Sequence, residues 1–230
     1  NWEANILEIG SAGGSGKQKL MVDGSVDVTR MIVHGNGEFI LSSGKQLTVN
    51  DDLQITGTQN MILKGQATLA KVMGNLISDG GTVTLTRATG NMHAKNSGSI
   101  EVSDKVVGNL LVEGTGSTVT SLVEIVGDVE IKDGASAKLR RAHKLMINNN
   151  ASFSPGSSPG RADFTNVEIS TSNLLFELGG TAPFPDQMPS NTDNYHDVLV
   201  AAGVTLNAAT IKVELWNSFT PSIGDEFKVI

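Results

Sequence analysis

Pairs of apolar residues that stand two positions apart recur along the chain at a nearly constant interval. The second members of these pairs are Leu41, Leu63, Leu85, Val102, Ile125, Ile147 and Ile169. They follow one another at about 22 residues, with one shorter step after Leu85, and this period lies in the range of known solenoid repeats. Alternation with a period of two is typical of strands, and its regular recurrence indicates a solenoid of stacked coils. We therefore expect these residues to form one buried ladder on the same face of successive coils.

Glycine-containing turns separate the apolar pairs, as at 35–37, 43–45, 79–81, 114–116 and 133–135. Glycine permits the positive φ that sharp corners often need. The pattern predicts an all-β fold, a parallel β-helix (β-solenoid), in which residues 1–153 form coils of two or three short strands. A β-sandwich is the alternative, since regularly spaced turns are also typical of sandwiches.

One segment departs from the strand pattern. Leu69, Val72, Met73 and Leu76 stand at helical spacing within residues 67–77. This spacing is typical of the buried side of an amphipathic helix. We expect either a short capping helix or an irregular coil here.

The texture of the sequence changes after Phe153. Residues 154–160 form a doubled turn with two prolines, and residues 181–194 contain Pro183, Pro185 and Pro189. Three prolines remove backbone donors from any strand ladder, so residues 181–194 are predicted to form a long surface loop. Strand patterns resume on both sides of that loop. We expect residues 154–230 to continue or cap the β-helix, with a separate small β domain as the alternative.

A specific resemblance is carried by this C-terminal part. Its motifs are Ser-Pro-Gly-Ser-Ser-Pro-Gly at 154–160, Leu-Leu-Phe-Glu-Leu-Gly-Gly at 174–180, Tyr-His-Asp-Val-Leu-Val at 195–200 and Gly-Asp-Glu-Phe at 224–227. Their order and spacing resemble autotransporter passenger domains and related secreted β-strand-repeat proteins. His196, inserted between Tyr195 and Asp197, and the proline-bearing loop depart from that pattern. The resemblance implies a right-handed, single-stranded parallel β-helix, secreted by or displayed on a Gram-negative-type bacterium, but not one particular activity.

Composition excludes several classes of protein. The net charge is −7 and the pI is near 5.0, so the chain lacks the cationic surplus that nonspecific nucleic-acid binding requires. With no cysteine, disulfides and thiolate metal sites are impossible. No apolar run is long enough for a transmembrane helix, so we expect no membrane insertion by this segment. A first residue of Asn1 suggests a mature chain or a fragment of a longer one.

Candidate metal ligands are sparse. Asp186, Asp193 and Asp197 lie in or beside the predicted loop, and their oxygens could bind calcium. The sequence lacks the dense alternating aspartates of a dedicated calcium loop, and its four histidines stand far apart in the chain. We expect solvated turn residues here and no cofactor, with calcium as the alternative.

Basic residues concentrate in one short stretch, which contains Lys138, Arg140, Arg141, His143 and Lys144. On a strand, Lys138 and Arg140 share a side, where they could contact an anionic glycan or an acidic neighbour. An ordinary solvated coil face is the alternative interpretation.

These observations favour a structural or adhesive module, a rigid stalk that associates with cell-surface components or stacks head to tail into fibres. We expect no catalytic residues. The rival is a polysaccharide-active enzyme or glycan-binding β-helix, for which Asp51 and Asp52 could meet Lys45 or Lys64 on adjacent coils. The absence of any aromatic residue between 40 and 152 weakens the rival, because sugar sites commonly use aromatic faces.

Overall fold

Stacked parallel strands form the whole of the fold. The structure is a computed structural model that describes residues 2–10, 18–34, 37–55, 61–156, 159–186 and 194–230, and these ranges contain 22 strands and no helix. The strands are β1 (Trp2–Ile9), β2 (Gln18–Val22), β3 (Val26–Val33), β4 (Gly37–Leu41), β5 (Gln46–Ile55), β6 (Met61–Leu63), β7 (Gln66–Met73), β8 (Leu76–Asp79), β9 (Thr82–Ala88), β10 (Met92–Lys95), β11 (Ser99–Val106), β12 (Leu110–Glu113), β13 (Thr118–Ile125), β14 (Val129–Lys132), β15 (Ser136–Asn148), β16 (Ser152–Pro155), β17 (Arg161–Ser170), β18 (Asn173–Leu178), β19 (Ala182–Pro183), β20 (Tyr195–His196), β21 (Val198–Asn207) and β22 (Thr210–Leu215). The predicted fold class, a β-solenoid, is confirmed.

Each coil has three faces. A long strand such as β5 bends at its middle and supplies faces 1 and 2, and a short strand such as β6 supplies face 3. On face 1, equivalent inward side chains stack into one buried column, formed by Val26, Leu47, Ala67, Val83, Ile100, Val119, Ala137, Phe153 and Leu174. Their burial drives the stacking, because apolar area removed from water is the main favourable contribution to folding.

Coil length is shorter and more variable than the sequence predicted. Every step between successive members of the face 1 column is shorter than the predicted period, and the step from Ala67 to Val83 is among the shortest. The predicted single ladder is wrong. The structure does stack Leu41 on Leu63, Leu85 on Val102 and Ile147 on Ile169. However, the next residue after Leu63 in its column is Ser78, not Leu85. Buried and outward residues alternate with a period of two on all three faces. The sequence pattern therefore joined residues from different faces into one series.

Residues 67–77 are not a helix. β7 ends at Met73, a turn follows, and β8 begins at Leu76. The helical spacing arises at the bend between faces 1 and 2, where Ala70 and Lys71 both lie outside the core between the buried Leu69 and Val72. Two consecutive outward residues shift the alternation by one position and imitate a period near 3.6.

The corner between faces 2 and 3 is built from a repeated Gly-Asn or Gly-Asp pair. A Cβ atom at Gly90 would lie 2.1 Å from the carbonyl oxygen of Gly74, and one at Gly108 would lie 2.3 Å from that of Gly90. The coils therefore approach each other here more closely than any side chain permits. Gly127 continues the column.

The residue after each of these glycines forms a hydrogen-bonded ladder. The backbone N–H of Asn91 donates to Oδ1 of Asn75 at 3.0 Å, and that of Asn109 donates to Oδ1 of Asn91 at 2.9 Å. Asp128 N–H donates to Oδ1 of Asn109 at 3.0 Å. Each side chain thus satisfies a backbone donor of the next coil, which fixes the register of the stack.

The stack continues past Phe153. β16 pairs with β15 and β18, and β21 and β22 pair with β17 and β18. β15 spans all three faces, and after it the strand breaks shift, so that one strand spans faces 2 and 3 while face 1 has a strand of its own. Residues 179–197 separate β18 from β21 and are called the insertion here; its described residues, 179–186 and 194–197, contain the short strands β19 and β20.

We predict that Gly90→Ala lowers the free energy of unfolding by about 3 kcal/mol, because the new methyl group forces two backbones apart. Gly24→Ala is the control, since a Cβ there meets nothing within 4 Å. Urea denaturation of both variants measures the difference. Equal stabilities would contradict close packing at this corner.

Candidate functional site

The basic stretch of β15 is divided among separate partners. Lys144 pairs with Glu168 at 2.8 Å, Arg141 lies 4.0 Å from Asp163, and Arg140 donates to the backbone carbonyl of Asp186. His143 pairs with Asp128 at 2.9 Å. Most of these partners come from neighbouring coils, so the stretch is interlaced with acidic groups.

Asp186, a calcium candidate, lies among arginines. Its Oδ1 is 3.7 Å from a terminal nitrogen of Arg141 and 4.0 Å from Nε of Arg161. Arg161 also forms a two-pronged contact with Asp163, at 2.8 and 3.0 Å. These cations join the proline-bearing insertion to the end of face 1.

The other two calcium candidates have different outcomes. Asp193 lies outside the described residues, and Asp197, the last residue of the insertion, is fully buried. Among residues that the structure describes, no group of three or more histidine or carboxylate side chains could hold a metal ion. The calcium alternative stays a prediction.

Asp197 connects three segments of the chain. One carboxylate oxygen accepts the N–H of Gly160, at the end of the Ser-Pro-Gly turn, and the other accepts the N–H of Glu177 at 2.8 Å. Asp197 N–H donates in return to the carbonyl of Glu177 at 2.9 Å. The residue therefore joins the doubled turn, β18 and the returning end of the insertion.

Burial raises the pKa of Asp197 to about 7. This value is the net result of several effects: the negative charge of Glu177 also raises the pKa, whereas the two backbone N–H donors and the positive charge of Lys138 lower it. Oε2 of Glu177 is buried and has no hydrogen-bond partner in the described part of the chain. Burial beside the negative charge of Glu177 therefore favours the neutral form of the Asp197 carboxyl group.

A shallow groove of about 400 Å³ runs over the outside of face 1 next to this cluster. Its polar lining stacks in two columns, Thr118–Ser136–Ser152 and Thr120–Lys138–Ser154, and Leu175 closes one end. Hydroxyl groups spaced by the strand separation can each donate and accept a hydrogen bond. Sequence reasoning missed this groove because the coil length was overestimated, so the stacked residues were not aligned.

The other three histidine side chains, those of His34, His93 and His196, contact groups of the protein itself. His93 pairs with Glu113 at 2.9 Å, and His34 pairs with Glu8 on the previous coil. His196 is buried, contacts the ring of Phe227 edge-on and lies 3.3 Å from the carbonyl oxygen of Gly180. The residue that departs from the family pattern thus packs the C-terminal tail against the last coils.

The structure does not bring Lys45 to the two aspartates of the lyase-like alternative. Lys45 pairs with Asp23 at 3.6 Å, whereas Asp52 pairs with Lys71 at 3.5 Å and Asp51 with Arg30 at 3.5 Å. Lys45 precedes β5 and Asp52 lies at its central bend, so extended chain separates them.

Outside face 3, charges alternate in a column that the sequence reasoning also missed. Asp79, Lys95, Glu113 and Lys132 follow one another in register, with Lys132 3.2 Å from Glu113 and Lys95 4.0 Å from Asp79. Exposed pairs of this kind contribute little energy each.

No family model, no curated protein and no solved structure matches the chain. Within the described ranges, no helix has the length and apolar character needed to cross a membrane. The resemblance to autotransporter passenger domains therefore stays a prediction.

We predict that Asp197→Asn changes the pH dependence of stability. Because the folded pKa lies above the ordinary 3.8, the contribution of Asp197 is fully present below about pH 4 and is lost as the pH rises through about 7. As the pH rises from 4 to 8, the free energy of unfolding of the variant should increase by about 2–4 kcal/mol relative to that of wild type.

Urea denaturation at several pH values measures this gain. Asp104→Asn, at an exposed position on β11, is the control. A stability difference between Asp197→Asn and wild type that stays constant with pH would contradict the raised pKa of Asp197.

Proposed function

We propose that this chain is a structural or adhesive module that works outside the cell, secreted or on the surface of a Gram-negative-type bacterium. On this proposal the chain is a stiff spacer that holds exposed surface at a fixed distance, and it has no catalytic role. Its partners are further copies of itself or other cell-surface components.

The observation that carries the proposal is the registered stack itself. One column on face 1 runs in register from Gln46 to Thr210, through Gln66, Thr82, Ser99, Thr118, Ser136, Ser152 and Asn173. Backbone hydrogen bonds between coils accompany it, and many outer charges pair with a neighbouring coil. These hydrogen bonds and ion pairs between neighbouring coils stiffen the stack.

Placement outside the cell is supported by the resemblance of residues 151–227 to exported passenger domains. A cysteine-free chain is compatible with oxidising compartments, because it has no thiol to misoxidise.

Distance measurement between two spin labels tests the spacer role. Because the chain has no cysteine, Gln46→Cys together with Thr210→Cys gives two unique labelling sites, both exposed. Eight coil steps separate them. At about 4.8 Å a step, a stiff stack predicts one narrow distribution centred at roughly 38 Å, apart from the label linkers.

The matched control carries labels at Gln46→Cys and Thr82→Cys, two steps apart on the same column. Its distribution should be shorter by roughly 29 Å and equally narrow. A broad or multiple distribution for the long pair alone would overturn the stiff-spacer role.

The groove beside Asp197 favours a second candidate, a glycan-binding or polysaccharide-active β-helix. Its stacked hydroxyls and Lys138 could bind an acidic sugar chain laid across the coils. Incubation with acidic and neutral polysaccharides, with and without calcium, separates the two functions. If the structural proposal is right, no sugar products form. Any sugar binding should also persist in Ser136→Tyr, a variant whose larger side chain fills the groove.

A further inference from the structure

Three cationic side chains stack in one column at the bend between faces 1 and 2. Lys71 of β7 lies in register with Arg87 of β9, and Arg87 lies in register with Lys105 of β11. Each of them directly precedes a buried residue of face 2 and lies outside the core. We call these three residues the cation column. They belong to three separate coils, so the sequence alone does not show them as a cluster.

Acidic residues neutralise the two ends of the cation column. Lys71 pairs with Asp52 of the preceding coil at 3.5 Å. Lys105 pairs with Glu124 of the following coil at 2.8 Å. Both lysines therefore have their acidic partners on the side that faces away from Arg87. Along the stack, the charges run negative, three times positive, and negative again.

Arg87 is left at the centre of the column without a partner of opposite charge. It is exposed, and among the described residues no carboxylate, including that of Asp104 on the next coil, forms an ion pair with it. Its neighbours in register are both cations, at about the 4.8 Å separation of adjacent strands. Like charges directly opposite each other on neighbouring strands are destabilising. A bound anion removes this repulsion and gives Arg87 the missing partner.

The cation column differs from the basic stretch of β15, which the sequence indicated as a contact for anionic glycans. In that stretch the cations have acidic partners on neighbouring coils, such as Glu168 for Lys144 at 2.8 Å. In the cation column, three positive charges follow one another with no acidic residue between them. The register of the coils thus places an uncompensated positive charge at Arg87.

The chemistry of these side chains suits an anionic group with several oxygens. The guanidinium of Arg87 presents its donors in a planar fork, which fits two oxygens of a carboxylate, sulfate or phosphate. The ammonium groups of Lys71 and Lys105 act as point charges on either side. Thr86, exposed beside Arg87 on the same strand, offers a hydroxyl donor.

We propose that the cation column binds an anionic group, a carboxylate, sulfate or phosphate, carried by an acidic cell-surface polysaccharide. This inference rests on the adhesive role proposed above and names the class of its partner. Arg87 binds two oxygens of the group, and Lys71 and Lys105 attract it from the neighbouring coils. The polysaccharide crosses the column and does not follow it, because Asp52 and Glu124 repel further anionic groups along the stack.

Separate anionic groups on a polar chain fit this surface better than a continuous anionic surface does. The protein carries a net charge of −7, so a nucleic acid or an anionic membrane meets mostly like charge. A polysaccharide can place one charged group at Arg87 and direct its hydroxyls to the outside of face 1. Polar side chains such as Thr84 and Thr86 lie there on the same strand.

Affinity for acidic polysaccharides tests the proposal. Titration calorimetry at low salt should detect binding of polygalacturonate or heparin and none of neutral dextran. Arg87→Ala should weaken the binding by about tenfold, because hydrogen bonds to charged groups are strong. Arg30→Ala is the matched control, since it removes the same charge from a guanidinium that already lies 3.5 Å from Asp51. It should change the affinity by less than about twofold.

Removal of the flanking acidic groups should act in the opposite direction. Asp52→Asn releases Lys71 and Glu124→Gln releases Lys105, so each variant should bind the polysaccharide about threefold more tightly. Glu3→Gln, at an exposed position on the distant strand β1, is the control and should leave the affinity unchanged. Circular dichroism of each variant verifies that it is folded.

Free sulfate and inorganic phosphate separate the anionic group from its carrier. Either ion should displace the polysaccharide from the wild type, but only at a far higher concentration, because it lacks the contacts of the sugar chain. Displacement at equal concentrations of anionic groups would assign the site to a free ion and overturn the polysaccharide as partner.

Three further results would overturn the proposal: binding of neither acidic polysaccharide at low salt, equal affinities of Arg87→Ala and wild type, or loss of binding in Ser136→Tyr but not in Arg87→Ala. The last result would assign the ligand to the groove on face 1. None of these outcomes changes the spin-label distances within one copy, so failure of this site is distinguishable from failure of the stiff-spacer role.

Discussion

The close approach of successive backbones at the corner between faces 2 and 3 is the constraint on which the rest of the structure depends. Gly74, Gly90 and Gly108 stack there with no space for a Cβ atom between them. This contact holds neighbouring coils at strand separation, so the backbone ladders and core columns of all three faces can form together. The asparagines that follow then fix which coil residues face each other.

Register at the corner also organises the outer surface. Once each residue is aligned with its equivalent one coil away, charges such as Glu113 and Lys132 alternate and hydroxyls such as Thr118 and Ser136 form columns. The C-terminal part adds different chemistry, because the end of the insertion pairs with β18 and buries Asp197 against Glu177. Among the described residues, the same regular stacking leaves the outer edge of β22 unpaired.

Much of the fold could be predicted from sequence, since alternating apolar residues and glycine turns specify strands whatever their exact register. Coil length could not be predicted in the same way, because residues such as Leu63 on face 3 and Leu85 on face 1 share one alternation. A better signal was present in the Gly-Asn and Gly-Asp pairs, whose polar members recur at the true coil length; they are Asn75, Asn91, Asn109 and Asp128. The contact of Asp197 with Gly160 lay beyond such patterns, because the path of the insertion determines it.

Removal of one whole coil tests the central claim, that neighbouring coils are equivalent units joined at a fixed register. Val83 aligns with Ile100, so deletion of residues 83–99 removes one coil and joins Thr82 to Ile100 in its place. The account predicts a protein with a β-type circular dichroism spectrum and cooperative unfolding in urea, because each coil contacts only its neighbours. Deletion of residues 83–91, about half a coil, should abolish that transition. Loss of folding in the whole-coil deletion, or equal tolerance of both, would contradict the account.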